Sequence, residues 1–179
     1  FAGTWQQKPA LFFSMHCRTP IVASNRRVRR RHVNKLSVLE TWFQDLWIEE
    51  KLDTIDKMLQ PSTRVEGLRE TPQVGPEEFK PFVTALLAHV RVRKVEIKHS
   101  FEDGDWITAL IAMTHEARSS GKTIYHTGQV LARIEDGKIV EGYNHIDFLT
   151  LFEALGLLPE ATLSICLQGK SLTAETPSA

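Results

Sequence analysis

The chain has 179 residues, 42% hydrophobic and 25% charged, with a formal net charge of zero. That is the balance of a globular domain with enough chain for a core, and no apolar run reaches the roughly 20 residues that span a membrane. The two cysteines, Cys17 and Cys166, lie near opposite ends, which suits neither a disulfide framework nor a zinc motif, so reduced thiols and a cytoplasmic setting are expected.

The zero net charge hides an asymmetry. Residues 1 to 39 carry eight Lys and Arg and no acid, whereas the remainder holds 14 basic against 22 acidic residues, a net of −8. The run NRRVRRRH at 25 to 32 fits an arm for nucleic acid or an anionic membrane, an Arg-rich targeting presequence, or an extension outside the fold. The last reading gives a non-native or disordered extension at 1–33, a folded domain at 34–160 and a tail at 161–179, disordered after Gly169. Nucleic acid is then a partner only if the arm is authentic, and no membrane partner is expected.

In chain order, Ser37 with Glu40 three residues on predicts a capped helix start. Val38, Leu39, Trp42, Phe43, Leu46 and Trp47 follow at helical spacing. The stretch EEKLDTIDKMLQP predicts a second short helix closed by Pro61, then a loop over 61–75. GPEEFKPFVTALLAHV restarts a helix, with Pro76 at its first position and Glu77 and Glu78 at the positive end of its dipole.

After Val90 the period changes to two. Val95, Ile97, His99 and Phe101 share a face, as do Ile107 to His115, Ile124 to Ile134, and then Ile139, Glu141, Tyr143, His145 and Asp147. EDGD, RSSGK and EDGK separate these runs as turns. The expectation is α+β: a four-strand antiparallel meander with one face covered by three helices.

Hairpin turns fix register, so cross-strand neighbours can be calculated. A two-residue Asp136-Gly137 turn sets Asp147 opposite His126. A four-residue loop at 119–122 sets His126 opposite His115, and a three-residue loop at 103–105 sets Arg93 opposite His115. The result is a row, Arg93, His115, His126, Asp147, at one end of the apolar face. Asp beside His suits acid/base work, with the imidazole held in one tautomer. Equally, Asp147 suits the cap of a helix starting at Phe148. Glu141 conflicts with its covered face: either it joins the pocket or a bulge displaces it. Trp42, Phe43 and Trp47 suit core packing or the wall of a pocket for a flat ligand. No short ligand motif supports a metal site, and no phosphate loop or nucleophile elbow is present.

Four stretches, LETWFQDLWIEEKLDTIDKMLQP, GPEEFKPFVTALL, GQVLARIEDGKIVEGYNHID and ALGLLP, resemble in order and spacing the SnoaL-like polyketide cyclase group of the nuclear transport factor two-like superfamily. The resemblance covers about 35 to 159. It implies a curved antiparallel sheet wrapped by N-terminal helices into a cone-shaped α+β barrel with an apolar cavity, and a homodimer through the exposed sheet face. It implies an acid/base aspartate at Asp147, and no metal or cofactor. The superfamily also includes epoxide hydrolases, ketosteroid isomerases and members that only bind ligands. The expected function is therefore cofactor-independent proton transfer, of cyclase, isomerase or hydrolase type, on a hydrophobic carbonyl-bearing molecule. Asp147 and His126 would be catalytic. His115, His145 and Tyr143 would donate to an oxyanion, with Trp42, Trp47, Met113 and Arg93 around the ligand. The alternative is a ligand-binding or dimeric interaction module without turnover.

Overall fold

This computed structural model describes residues 34–172. The basic arm, Cys17 and the end of the tail from residue 173 lie outside the described residues; Cys166 is exposed and free.

The first helix begins two residues earlier than Ser37 suggests. Asn34 is its cap, its side-chain oxygen accepting from the Ser37 amide at 3.1 Å, and α1 runs over Lys35–Thr41. Asn and Ser are near-equal caps, so the cap residue itself does not choose between them. From Trp42 to Ile48 the coil widens without a break into a π-helix, closed by the Glu49 amide on the Gln44 carbonyl at 3.0 Å. The widening still turns Trp42, Phe43 and Leu46 inward. The second helix, α2, is Asp53–Met58.

Pro61 does not close that helix; it sits inside a strand. Leu59 and Gln60, expected as the end of that helix, and residues expected as loop form β1, Leu59–Glu66, and β2, Gln73–Val74. Proline is tolerated there because Leu59 to Arg64 is where the register of β1 slips. The Thr63 hydroxyl takes up the irregularity: it accepts from the Gln60 amide and donates to the Ile139 carbonyl, both at 2.8 Å. The third helix, α3, is Gly75–His89, with the Glu78 carboxylate accepting from the Val74 amide at 2.7 Å.

The meander follows as β3 Val90–Asp103, β4 Trp106–Ala117, β5 Thr123–Glu135 and β6 Lys138–Ile146. Two short helices end the described chain, α4 Phe148–Ala154 and α5 Thr162–Leu167, the latter within the segment read as tail. The sheet has six strands in the order β2-β1-β6-β5-β4-β3, and β1 runs parallel to β6. The expected all-antiparallel sheet of four strands is thus extended by two, one of them parallel. The sheet curves but does not close, and the helices cover its inner face. Leu39, Phe79, Val83 and Leu87 of the helices pack against Ile107, Ile111 and Ile134 of the strands, each such burial contributing about 1.5–3 kcal/mol. No helix among the described residues is long and apolar enough to cross a membrane.

Register decides what faces inward. Strands β4 and β5 hold one register throughout, Trp106 opposite Arg133 to Glu116 opposite Thr123. Their turn occupies 118–121, closed by the Ala117 amide on the Lys122 carbonyl at 2.9 Å. That loop lies one residue earlier than expected, so His126 faces Met113 and His115 faces Ile124. A shift of two positions keeps every side chain on its own face, and both histidines stay inside.

Bulges upset the other two pairs. In β3 the ladder slips at Arg93 and again at Lys98. Val92 therefore faces His115, and Arg93 turns out to pair with Glu116 at 2.7 and 3.0 Å. Past Lys98, His99 and Phe101 also leave the inner face. In β6, Ile139 faces Ile134 but Glu141 faces Arg133, which leaves Val140 as the extra residue. From there the parity inverts: Gly142, Asn144 and Ile146 face in, and Glu141, Tyr143 and His145 face out.

Candidate active site

Between helices and sheet lies an apolar hollow. Trp42, Phe43 and Trp47 wall it on one side and Phe79, Phe82 and Leu86 of α3 on another; Ile111, Met113, Val130 and Ile146 form its floor. The aromatic stripe of the first helix serves both expected purposes, being largely buried and lining the hollow. The space open to the centre of a water molecule is about 80 Å³, several times the ~10–15 Å³ that one water requires.

Its polar wall is two imidazoles, with Asn144 also lining the hollow. His115 of β4 and His126 of β5 are each 3% exposed. Their rings stack with centroids 4.7 Å apart and planes 9° from parallel, and their Nε2 atoms are 2.8 Å apart. Diagonal rather than direct pairing across β4 and β5 brings this about. The Nδ1 of His126 lies 3.4 Å from the Thr127 carbonyl oxygen, and the Nδ1 of His115 is buried without a hydrogen-bond partner among the described residues. Burial disfavours the charged imidazolium, and the neighbouring His126 disfavours it further, so the His115 pKa is pushed down to about 4. His126 is also lowered by burial, opposed by its contact with the Thr127 carbonyl and by the charge of Asp147.

Asp147 does not open into the hollow. It is exposed and caps α4. One carboxylate oxygen accepts from the Thr150 amide at 3.0 Å, and the other from the Thr150 hydroxyl at 2.7 Å. These bonds hold its pKa below the usual carboxylate range. The backbone reason is the bulge at Val140: it sets Asp147 beside Thr127, its amide on that carbonyl at 3.1 Å, rather than opposite His126. What survives of the expected Asp147–His126 pair is an electrostatic influence of the one on the other.

Of the other expected ligand contacts, Trp42, Trp47, Met113 and His115 line the hollow, while Arg93, Tyr143 and His145 do not. Tyr143 donates instead to Glu141 at 2.6 Å on the outer face, where Arg133 also reaches Glu141 at 3.1 Å. Glu141 was the warning in the sequence, a carboxylate assigned to a covered face. The same inversion brings in Gly142 and Asn144, which periodicity had placed outside. The amide of Asn144 donates to the Glu66 carbonyl at 3.1 Å and ties the polar wall to β1. Among the described residues, no group of three His, Cys, Asp or Glu is placed to hold a metal ion.

A curved sheet closed over an apolar hollow by helices is the architecture of ketosteroid isomerase-like proteins, and solved structures agree. A protein of that fold from Catenulispora acidiphila DSM 44928, solved with trimethylamine, is 12% identical with a TM-score of 0.58, over 66% of this chain and 92% of that one. TsrD from Streptomyces laurentii is 18% identical with a TM-score of 0.58, over 69% and 96%. An LEH-like epoxide hydrolase from M. tuberculosis is 16% identical with a TM-score of 0.53, over 75% and 95%. Identities this low show a shared fold and nothing finer. No curated protein matches the chain. The family model of the SnoaL-like polyketide cyclases matches residues 37–155. The chain belongs to that family.

Proposed function

We propose that this chain is a cofactor-independent enzyme that moves a proton on a hydrophobic, carbonyl-bearing small molecule held in the hollow. The family and the epoxide hydrolase of the same fold support chemistry of cyclase, isomerase or hydrolase type. One observation carries the reading: a hydrogen-bonded imidazole pair set in a cavity that is otherwise apolar except for Asn144. Such a pair is neutral at rest, accepts one proton against the cost of burial, and resists a second, since like charges at 2.8 Å repel strongly. The acid/base centre is therefore the pair His115 and His126. Asp147 acts from outside, its negative charge favouring a proton on His126.

The test is a screen of apolar carbonyl compounds by thermal shift, followed by turnover assays. Hits are expected to stabilise the wild type and to lose that effect in Gly142→Val, because a Cβ at Gly142 meets nothing within 4 Å and the added side chain fills free space in the wall. Ligand stabilisation and turnover both undiminished in Gly142→Val would remove the hollow from the function.

A second reading, binding without turnover, is favoured by the exposed and fully engaged carboxylate of Asp147. It requires ligand binding with no chemical change in any hit over long incubation. Under either reading, we propose that a second copy covers the outer sheet face, where Phe101 is 72%, Tyr125 57% and Leu110 43% exposed. Tyr125→Lys is expected to shift the chain towards monomer in sedimentation velocity, and an unchanged mass would exclude this face.

A further inference from the structure

We infer that the hollow selects apolar molecules carrying a hydrogen-bond donor, an enolic or phenolic hydroxyl, which docks on Nδ1 of His115, with His126 as the positioning residue that fixes the tautomer of His115. This rests on the reading of the hollow as a ligand site.

A count of protons fixes both tautomers. Two Nε2 atoms 2.8 Å apart share one proton between them: two bare lone pairs repel, and two N–H groups collide. The Thr127 carbonyl can only accept, so the His126 Nδ1 at 3.4 Å carries a proton. A neutral imidazole has one N–H, so the Nε2 of His126 is bare and accepts from the Nε2–H of His115. His115 has then spent its own proton, and its Nδ1 is a lone pair. Nδ1 is also the atom left buried without a partner, on a side chain 97% buried in the wall of the hollow. Burial keeps the ring neutral at pH 7, so the lone pair is available. A buried acceptor with no donor costs free energy that a hydroxyl relieves and an ether does not.

The same geometry completes a proton transfer. A ligand O–H proton taken by the Nδ1 of His115 leaves an enolate or phenolate and an imidazolium. The Nε2 proton of His115 then passes to the Nε2 of His126. The charge passes to His126, where burial disfavours it and the Thr127 carbonyl and Asp147 offset part of that cost. The proton moves from the interior towards the rim, and no cofactor enters.

The experiment uses the full chain, labelled with 15N-histidine, and two probes, 4-ethylphenol and its methyl ether 4-ethylanisole. Long-range 15N–1H correlations are expected to place the proton of His115 on Nε2 and that of His126 on Nδ1. The phenol should bind about tenfold tighter than the ether, despite being the more polar of the two, and should shift the His115 Nδ1 resonance. In His126→Phe the preference should vanish, because His115 is then free to change tautomer. A proton found on the Nδ1 of His115, or equal affinity for the two probes, overturns donor selection while leaving the hollow as a ligand site. Binding of neither probe overturns both. Should His126→Phe not fold, the wild-type tautomers and the probe pair decide.

Discussion

Strands β5 and β6 are neighbours in one sheet and behaved oppositely. In β5 the alternation read from the sequence holds from Ile124 to Ile134, and His126 lies inside as expected. In β6 it holds only at Ile139; past the extra residue Val140, each expected inward side chain points out. The difference teaches that a regular strand transmits its pattern to its faces, whereas one inserted residue inverts everything downstream. In this molecule the inversion exchanges the candidate site: it removes Tyr143 and His145, supplies Gly142 and Asn144, and carries Asp147 to the rim.

The strongest way to break that comparison is Gly142→Glu. Past the bulge Gly142 faces in, so the substitution sets an unpaired carboxylate on the covered face, which costs several kcal/mol. The expected loss is about 3 kcal/mol or more in urea-induced unfolding. A Gly142→Glu variant of undiminished stability would mean that β6 is not inverted past Val140.

Next comes pH, which tests β5 and its partner β4. His115 has a depressed pKa, about 4 in the folded chain against 6.5 unfolded. As pH falls below 6.5 the unfolded chain takes up the proton first, so stability is complete above pH 6.5, declines down to about pH 4 and then levels off. The loss amounts to at most about 3 kcal/mol. His126, also lowered, adds to it in the same direction. His115→Phe should flatten the curve across this window; a wild type already flat there would place the pair in water rather than in a dry wall.

The smallest effect sharpens the role of Asp147. Asp147→Ala is expected to cost about 1 kcal/mol as a lost helix cap, and Asp147→Asn only a few tenths, because Asn caps nearly as well. Turnover in Asp147→Asn should fall modestly, through the proton on His126, and its pH profile should move to lower pH. Complete loss of turnover with the fold intact would return Asp147 to the catalytic centre.

Much of the fold was legible because it is written in local patterns. The helices carry their 3.6-residue spacing, the meander its period of two, and the Asp136-Gly137 turn its residue pair, with positive φ at both residues. Strand β1 is not legible because Pro61, Ser62, Thr63 and Gly67 are turn-forming residues; it is a strand only because β6 offers it a parallel edge. The histidine pair was legible as two inward residues on adjacent strands, since an error of two positions in register preserves the face.

By itself the sequence determined an α+β chain of helices followed by a meander, the aromatic lining on the first helix, and the inward setting of His115 and His126. Periodicity and turn chemistry are short-range properties and survive translation into structure. Only the tertiary structure decided the parallel edge strand, the bulges at Arg93, Lys98 and Val140, and the outward turn of Asp147. Those depend on where the strands must bend to curve the sheet around its covering helices, which is a demand of the whole assembly and leaves no mark on any one stretch of chain.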